Sequence, residues 1–228
     1  MPHQNSHSRI TLPGYSLLLA LMLLVGCGRG GPPLTPAQVE AVRGACIGGN
    51  LLRLAEETTR FADQLEASRR SLLEEAEARL SEADAAHRAI RAQIGEPAST
   101  SEALELQARF DRSQNRLRDA RSDAEYARRQ WQQADAEARE SGAYLELVAL
   151  HAAALAYADS AANFAGSAED SLRYAGLAAA KQEEARQVGR THRGLEARFS
   201  AEYAEAEADQ FSTCNLQAEE LLEQGRSS

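Results

Sequence analysis

The sequence predicts an all-α fold: an elongated antiparallel helical bundle, or coiled-coil hairpin, of three or four long helices. Three observations carry this. Aromatic residues are only 5% of the 228-residue chain against 26% charged residues, and alanine, glutamate and arginine recur through every segment after Thr35, the bias of long helices rather than of a large globular core. Apolar residues repeat at alternating steps of four and three, which keeps one stripe on one side of a helix. The strong breaks are few, so the periodic stretches run for dozens of residues.

The first helix opens at Thr35-Pro36-Ala37-Gln38, with Thr35 as N-cap, Pro36 at the first helical position and Gln38 completing a capping box. Its expected seam is Ile47, Leu51, Leu54, Thr58, Phe61, Leu65, Ser68 and Leu72. After one slip through Ala76 and Leu80 it resumes as Ala83, His87, Ile90 and Ile94. Gly44 and Gly48, four apart, permit close approach of another helix, while Gly48-Gly49-Asn50 is a candidate break. Unbroken, residues 36 to 94 would span about 90 Å at 1.5 Å per residue.

Gly95-Glu96-Pro97 ends this helix, and Ser99 with Glu102 restarts one at capping-box spacing. The second seam is Leu106, Phe110, Ser113, Leu117, Ala120, Ala124, Ala127, Trp131, Ala134 and Ala138. A short connection makes consecutive helices neighbours, so the two segments should pack as an antiparallel hairpin. Trp131 continues the spacing and reads as a core filler.

From Ala143 to Ala165 only Glu146, His151 and Asp159 can carry charge, and a helix apolar nearly all round must be covered by several neighbours. Ser167-Ala168-Glu169-Asp170 marks a further helix start. The last helix runs to about Leu222 through Val188, Leu195, Phe199, Phe211, Cys214, Ala218 and Leu221. Residues 35–224 form the folded bundle and 225–228 a frayed tail.

The N-terminal end has a different character. An apolar run from Tyr15 to Val25 is about half of the roughly 20 residues needed to cross a bilayer, and it ends in Leu24-Val25-Gly26-Cys27 followed by a glycine- and proline-rich stretch. These four residues resemble the lipobox of bacterial lipoproteins. The resemblance implies that residues 1–26 are a signal peptide and that Cys27 becomes the acylated first residue, with 27–34 as a flexible tether. It also implies a diacylglyceryl group plus an N-acyl chain, and two or more chains anchor firmly where one does not. Gly28 stands where an aspartate would favour inner-membrane retention in such proteins. The expected location is the cell envelope, on the outer membrane facing the periplasm if the host has two membranes.

With Cys27 lipidated, Cys46 and Cys214 remain, in an exported chain where disulfides form and persist. A Cys46–Cys214 disulfide is therefore expected, and it bears on topology. Three helices of similar length would leave the two cysteines about 45 Å apart, whereas a bridge needs Cα atoms within about 7 Å. Four helices with reversals at Gly142 and Gly176 bring them within about 3 Å. The four-helix form is preferred, although Ser167 is a better helix start than Gly176 is a turn.

Formal charge is −9, and loss of Arg9 with the signal makes it −10. Nucleic acid is thus a poor partner. No catalytic constellation, cofactor motif or metal-ligand spacing assembles: His87, His151 and His192 share no ligand spacing, with His87 and His192 expected at polar seam positions and His151 in the bundle wall. Glu74-Glu75-Glu77 and Glu183-Glu184 read as solvated carboxylates, since acid–base pairs need burial to separate their pKa values. The expected function is a non-enzymatic, lipid-anchored helical spacer or docking scaffold, contacting the membrane through its lipid and a protein partner or a second copy through its helical surface. The alternative is an accessory subunit of an envelope machine for secretion, efflux or cell-wall synthesis, its coiled coil completed by a partner.

Overall fold

The computed structural model describes residues 34–94 and 99–226. Cys27, the lipobox, most of the tether and Gly95-Glu96-Pro97 lie outside the described residues. The described chain is all-α: α1 Pro36–Gln93, α2 Thr100–Asp159, a single π-helical turn Ser160–Phe164, α3 Ala168–Thr191, α4 Leu195–Ala208 and α5 Thr213–Arg226.

Local chemistry sets the helix starts. Thr35 Oγ1 accepts the Gln38 backbone N–H at 3.3 Å, and Gln38 Oε1 accepts the Thr35 N–H at 2.8 Å, closing the capping box. Ser99 and Ser167 cap α2 and α3 in the same way, each hydroxyl accepting the backbone N–H three residues on. Gly48-Gly49-Asn50 does not break α1. A Cβ on Gly48 would stand 2.8 Å from Leu155 Cδ1 and 3.3 Å from the Ala152 Cα, and one on Gly44 would stand 3.2 Å from the Tyr203 hydroxyl. The glycine cost of about 1 kcal/mol in a helix is offset there by the close approach of α2 and α4.

The reversals fall elsewhere than at Gly142 and Gly176, which lie inside α2 and α3. α2 is carried through Gly142 by the fully buried residues just beyond it, Tyr144, Leu147 and Val148. The expected last helix is interrupted twice. Gly194, at φ 96°, takes the left-handed backbone that a non-glycine residue resists and turns the chain into α4. At Asp209–Ser212 the Asn215 side-chain amide donates to the carbonyls of Glu207 and Asp209 at 3.1 and 2.6 Å, fixing the turn into α5. There are thus two long helices and three short ones. The path returns Cys214 to Cys46, with Cα atoms 5.6 Å and sulfurs 2.05 Å apart.

The core sits at this end of the molecule. Ile47, Leu51 and Ala55 of α1 meet Tyr144, Leu147 and Val148 of α2, with Ala185, Leu195, Phe199 and Cys214 closing the cluster. Full burial of each large apolar side chain there stabilises by roughly 1.5–3 kcal/mol. Beyond residue 60, α1 and the facing part of α2 continue as a hairpin about 50 Å long. Its cross-contacts are between those two helices: Glu66 with Trp131, Glu77 with Arg128, and His87 with Ser113.

The α2 seam follows the expected spacing: Ser113, Leu117, Ala124, Ala134, Val148 and Ala152 are buried, and the residues between them in the stripe are half-buried. On α1 the stripe is displaced by one residue from 54 to 73. Ala55, Ala62 and Leu73 are buried, whereas Leu54, Phe61 and Leu72 are 55%, 68% and 44% exposed. Two successive steps of four, Leu51 to Ala55 to Thr59, insert a stutter that rotates the contact stripe. Small alanines then face α2, and the larger side chains turn outward.

Candidate functional site

At the base, α4 is held by a polar cluster on a buried apolar floor. The Tyr144 hydroxyl donates to a Glu202 carboxylate oxygen, and burial, with that carboxylate beside it, pushes the phenol above its ordinary range. Arg198 lies over the Tyr144 ring at 3.8 Å and donates to Glu202 at 2.8 Å. His151 stacks on Phe199 with centroids 4.0 Å apart, its Nε2 3.2 Å from Glu196. These side chains pair with one another around packed rings. The cluster fastens α4 to α2.

His87 Nδ1 lies 3.0 Å from the Ser113 hydroxyl in the hairpin seam. His192 departs from the expected seam position: it is the exposed C-cap of α3, because the turn at Gly194 begins there. Trp131 fills its seam position and also donates its indole N–H to Glu66 Oε1 at 2.7 Å. Burial alone would push the Glu66 carboxyl up, but the Trp131 N–H and the Arg70 guanidinium together hold it below the usual range. Glu77 pairs with Arg128, and Glu183 and Glu184 with cations on α3. Among the described residues no group of three His, Cys, Asp or Glu side chains could hold a metal ion. Among them, too, no helix is long and apolar enough to cross a membrane.

Among the described residues, one face of the hairpin carries two shallow grooves between α1 and α2. The first, of about 220 Å³, has a floor of Leu72, Ala76, Tyr126 and Ala127, flanked by Arg69, Arg79, Asp123 and Gln130. The second, of about 200 Å³ and nearer the tip, has Ala83, Ala86 and Ile90 on α1 and Arg109, Arg112, Ser113 and Arg116 on α2. Leu72, Arg79 and Ala86 recur every seven residues along α1, as do Arg109, Arg116, Asp123 and Gln130 along α2. Both grooves therefore lie on the same side.

No protein-family model, curated protein or solved structure corresponds to this chain. The grooved face of the hairpin is the candidate site, and the seam spacing of the sequence does not by itself point to it. A signal for it is present in the sequence: Leu54, Phe61 and Leu72 recur as an apolar stripe, which the structure turns outward while Leu65 stays half-buried.

Proposed function

We propose that this chain is a lipid-anchored envelope protein that acts as a non-enzymatic helical scaffold, its compact base near the membrane and its two-helix hairpin presenting a docking face. The carrying observation is the hairpin itself: a narrow two-helix arm whose open features are shallow apolar grooves rather than an enclosed pocket, which suits contact with another helical surface. Anchorage rests on Leu24-Val25-Gly26-Cys27, and outer-membrane placement on Gly28. The test is Cys27→Ser expressed beside the unaltered chain. The unaltered chain is expected to lose residues 1–26 and to carry acyl mass on Cys27, whereas the variant keeps an uncleaved signal and carries no acyl mass; unchanged cleavage with no acyl mass on either chain overturns the anchor.

A second reading, an accessory subunit of a secretion, efflux or wall-synthesis machine, is favoured by the exposure of Leu54, Phe61 and Leu72. Such a stripe is the seam a partner's helix would complete. A free-standing spacer melts at the same temperature purified and in native membranes, whereas a subunit melts lower once removed from its partner.

A further inference from the structure

We infer that the hairpin face pairs with a second copy of this chain in antiparallel register about a two-fold axis at Tyr126. This deepens the scaffold reading and rests on it, since it names what the docking face takes first.

The register follows from where charge and apolar bulk fall along the arm. Tyr126, 59% exposed, lies beside Leu72 and Ala76 at the centre of the face. A two-fold axis there, perpendicular to the helices, lays α2 on α2 and α1 on α1. Along α2, Tyr126 is midway in sequence between Arg112 and Glu140, and nearly so between Arg116 and Glu137. Arg112 and Arg116 of one copy therefore meet Glu140 and Glu137 of the other. Among the described residues no carboxylate of the same chain pairs with Arg109, Arg112 or Arg116, and no cation with Glu137 or Glu140.

Apolar shape follows the same axis. Thr59 bonds the Ser141 carbonyl at 3.1 Å, so the level of Glu137 and Glu140 on α2 is the level of Phe61 on α1. Phe61 lies about 20 Å to the base side of the axis and the groove of Ala83, Ala86 and Ile90 about 20 Å to the tip side. The rotation carries Phe61, the most exposed large apolar residue of α1, onto that groove. The same rotation brings Arg69 and Arg79 of opposite copies level, a like-charge approach that the Asp123 carboxylate in the same groove offsets. The parallel two-fold arrangement would lay α1 on α2 at equal heights, setting Phe61 against Glu137 and Glu140 and the arginines against alanines. Complementarity therefore selects the antiparallel pair. The two Thr35 ends then stand about 120 Å apart, and two anchored copies would join opposed surfaces.

The test is sedimentation velocity of the full mature chain in detergent, with reversal at each end of the register. A dimer is expected. Arg112→Glu with Arg116→Glu in one variant, and Glu137→Arg with Glu140→Arg in another, should each raise the dissociation constant at least tenfold. An equimolar mixture of the two variants should regain the parent affinity, because every reversed pair is then complementary; that rescue also shows both variants are folded. A monomer at 100 µM, or dimers indifferent to the reversals, or failure of the mixture to re-form, overturns the pairing and leaves the face to a different protein. Detergent partitioning of the same samples reports the anchor separately, so the two readings fail independently.

Discussion

Gly48 of α1 lies directly beneath Leu155 of α2, so near that a Cβ on the glycine would stand 2.8 Å from the leucine Cδ1. The neighbouring Gly49 has nothing within 4 Å of its own missing Cβ. Two adjacent glycines in one helix thus have opposite reasons for being there. Gly48→Ala is expected to destabilise by about 1–2 kcal/mol through overpacking at the α1–α2 contact. Gly49→Ala should stabilise by about 0.5–1 kcal/mol through helix propensity. Thermal melts of the two single variants check the opposite signs.

The Cys46–Cys214 bond joins positions 168 residues apart, and in the chain-entropy account closing so long a loop stabilises by about 5 kcal/mol. Cys214→Ala should lower the melting temperature and selectively raise amide exchange in α5, while the seam of the distal hairpin keeps its protection. Non-reducing peptide mapping of the parent chain must recover the Cys46 and Cys214 peptides linked within one chain. Free thiols at both positions would remove the bond from the account of stability.

Glu66 supplies a pH signature. Its carboxyl is held below the usual range, so the stability it contributes is fully present above the unfolded carboxylate pKa of about 4.3. That stability is lost as pH falls through the lower folded value. The gap between the parent and Glu66→Gln should therefore be widest near neutrality and close below about pH 4. Trp131, the sole tryptophan, donates to this carboxylate, and its fluorescence should report the same transition.

Amide exchange should be graded along the arm. Residues 47–55 and 144–148 lie in the buried cluster, whereas the stretches near the tip have a single helix as partner. Exchange in 83–94 and 99–113 is expected to exceed that in 47–55 and 144–148 by orders of magnitude. Equal protection in the two regions of the isolated chain would contradict this gradient.

Much of this architecture is legible in local chemistry. Thr35, Ser99 and Ser167 announce helix starts because a hydroxyl three residues before a backbone donor is a local device, independent of the rest of the fold. The α2 stripe is legible because its residues keep one phase from Leu106 to Ala152. The α1 stripe between 54 and 73 is not. Size favours Leu54, Phe61 and Leu72 for burial, yet a two-helix contact at close range selects Ala55 and Ala62, and only the partner helix reveals which criterion prevails. The turns are a second such case. Gly142, Gly176 and Gly194 look alike in sequence, but only Gly194 has a positive φ, and what separates them is the packing on either side. Hence the two cysteines meet along a path with reversals that spacing alone does not supply.

The junction of α1 with the π-helical turn has a mechanical consequence. The Gln38 side chain donates to the Ala162 carbonyl at 2.9 Å, and the Asn163 amide donates back to the Gln38 carbonyl at 3.1 Å. A pull on the chain at Leu34 loads this reciprocal latch first. Once it yields, helix can peel only as far as the covalent bond at Cys46, giving about 20 Å of extension as eleven residues pass from helical to extended spacing. Beyond that point the load crosses to α5 through sulfur and is shared by both ends of the fold. Under such a load the disulfide would set a hard stop after a short travel, with the first eleven residues of α1 taking up the strain.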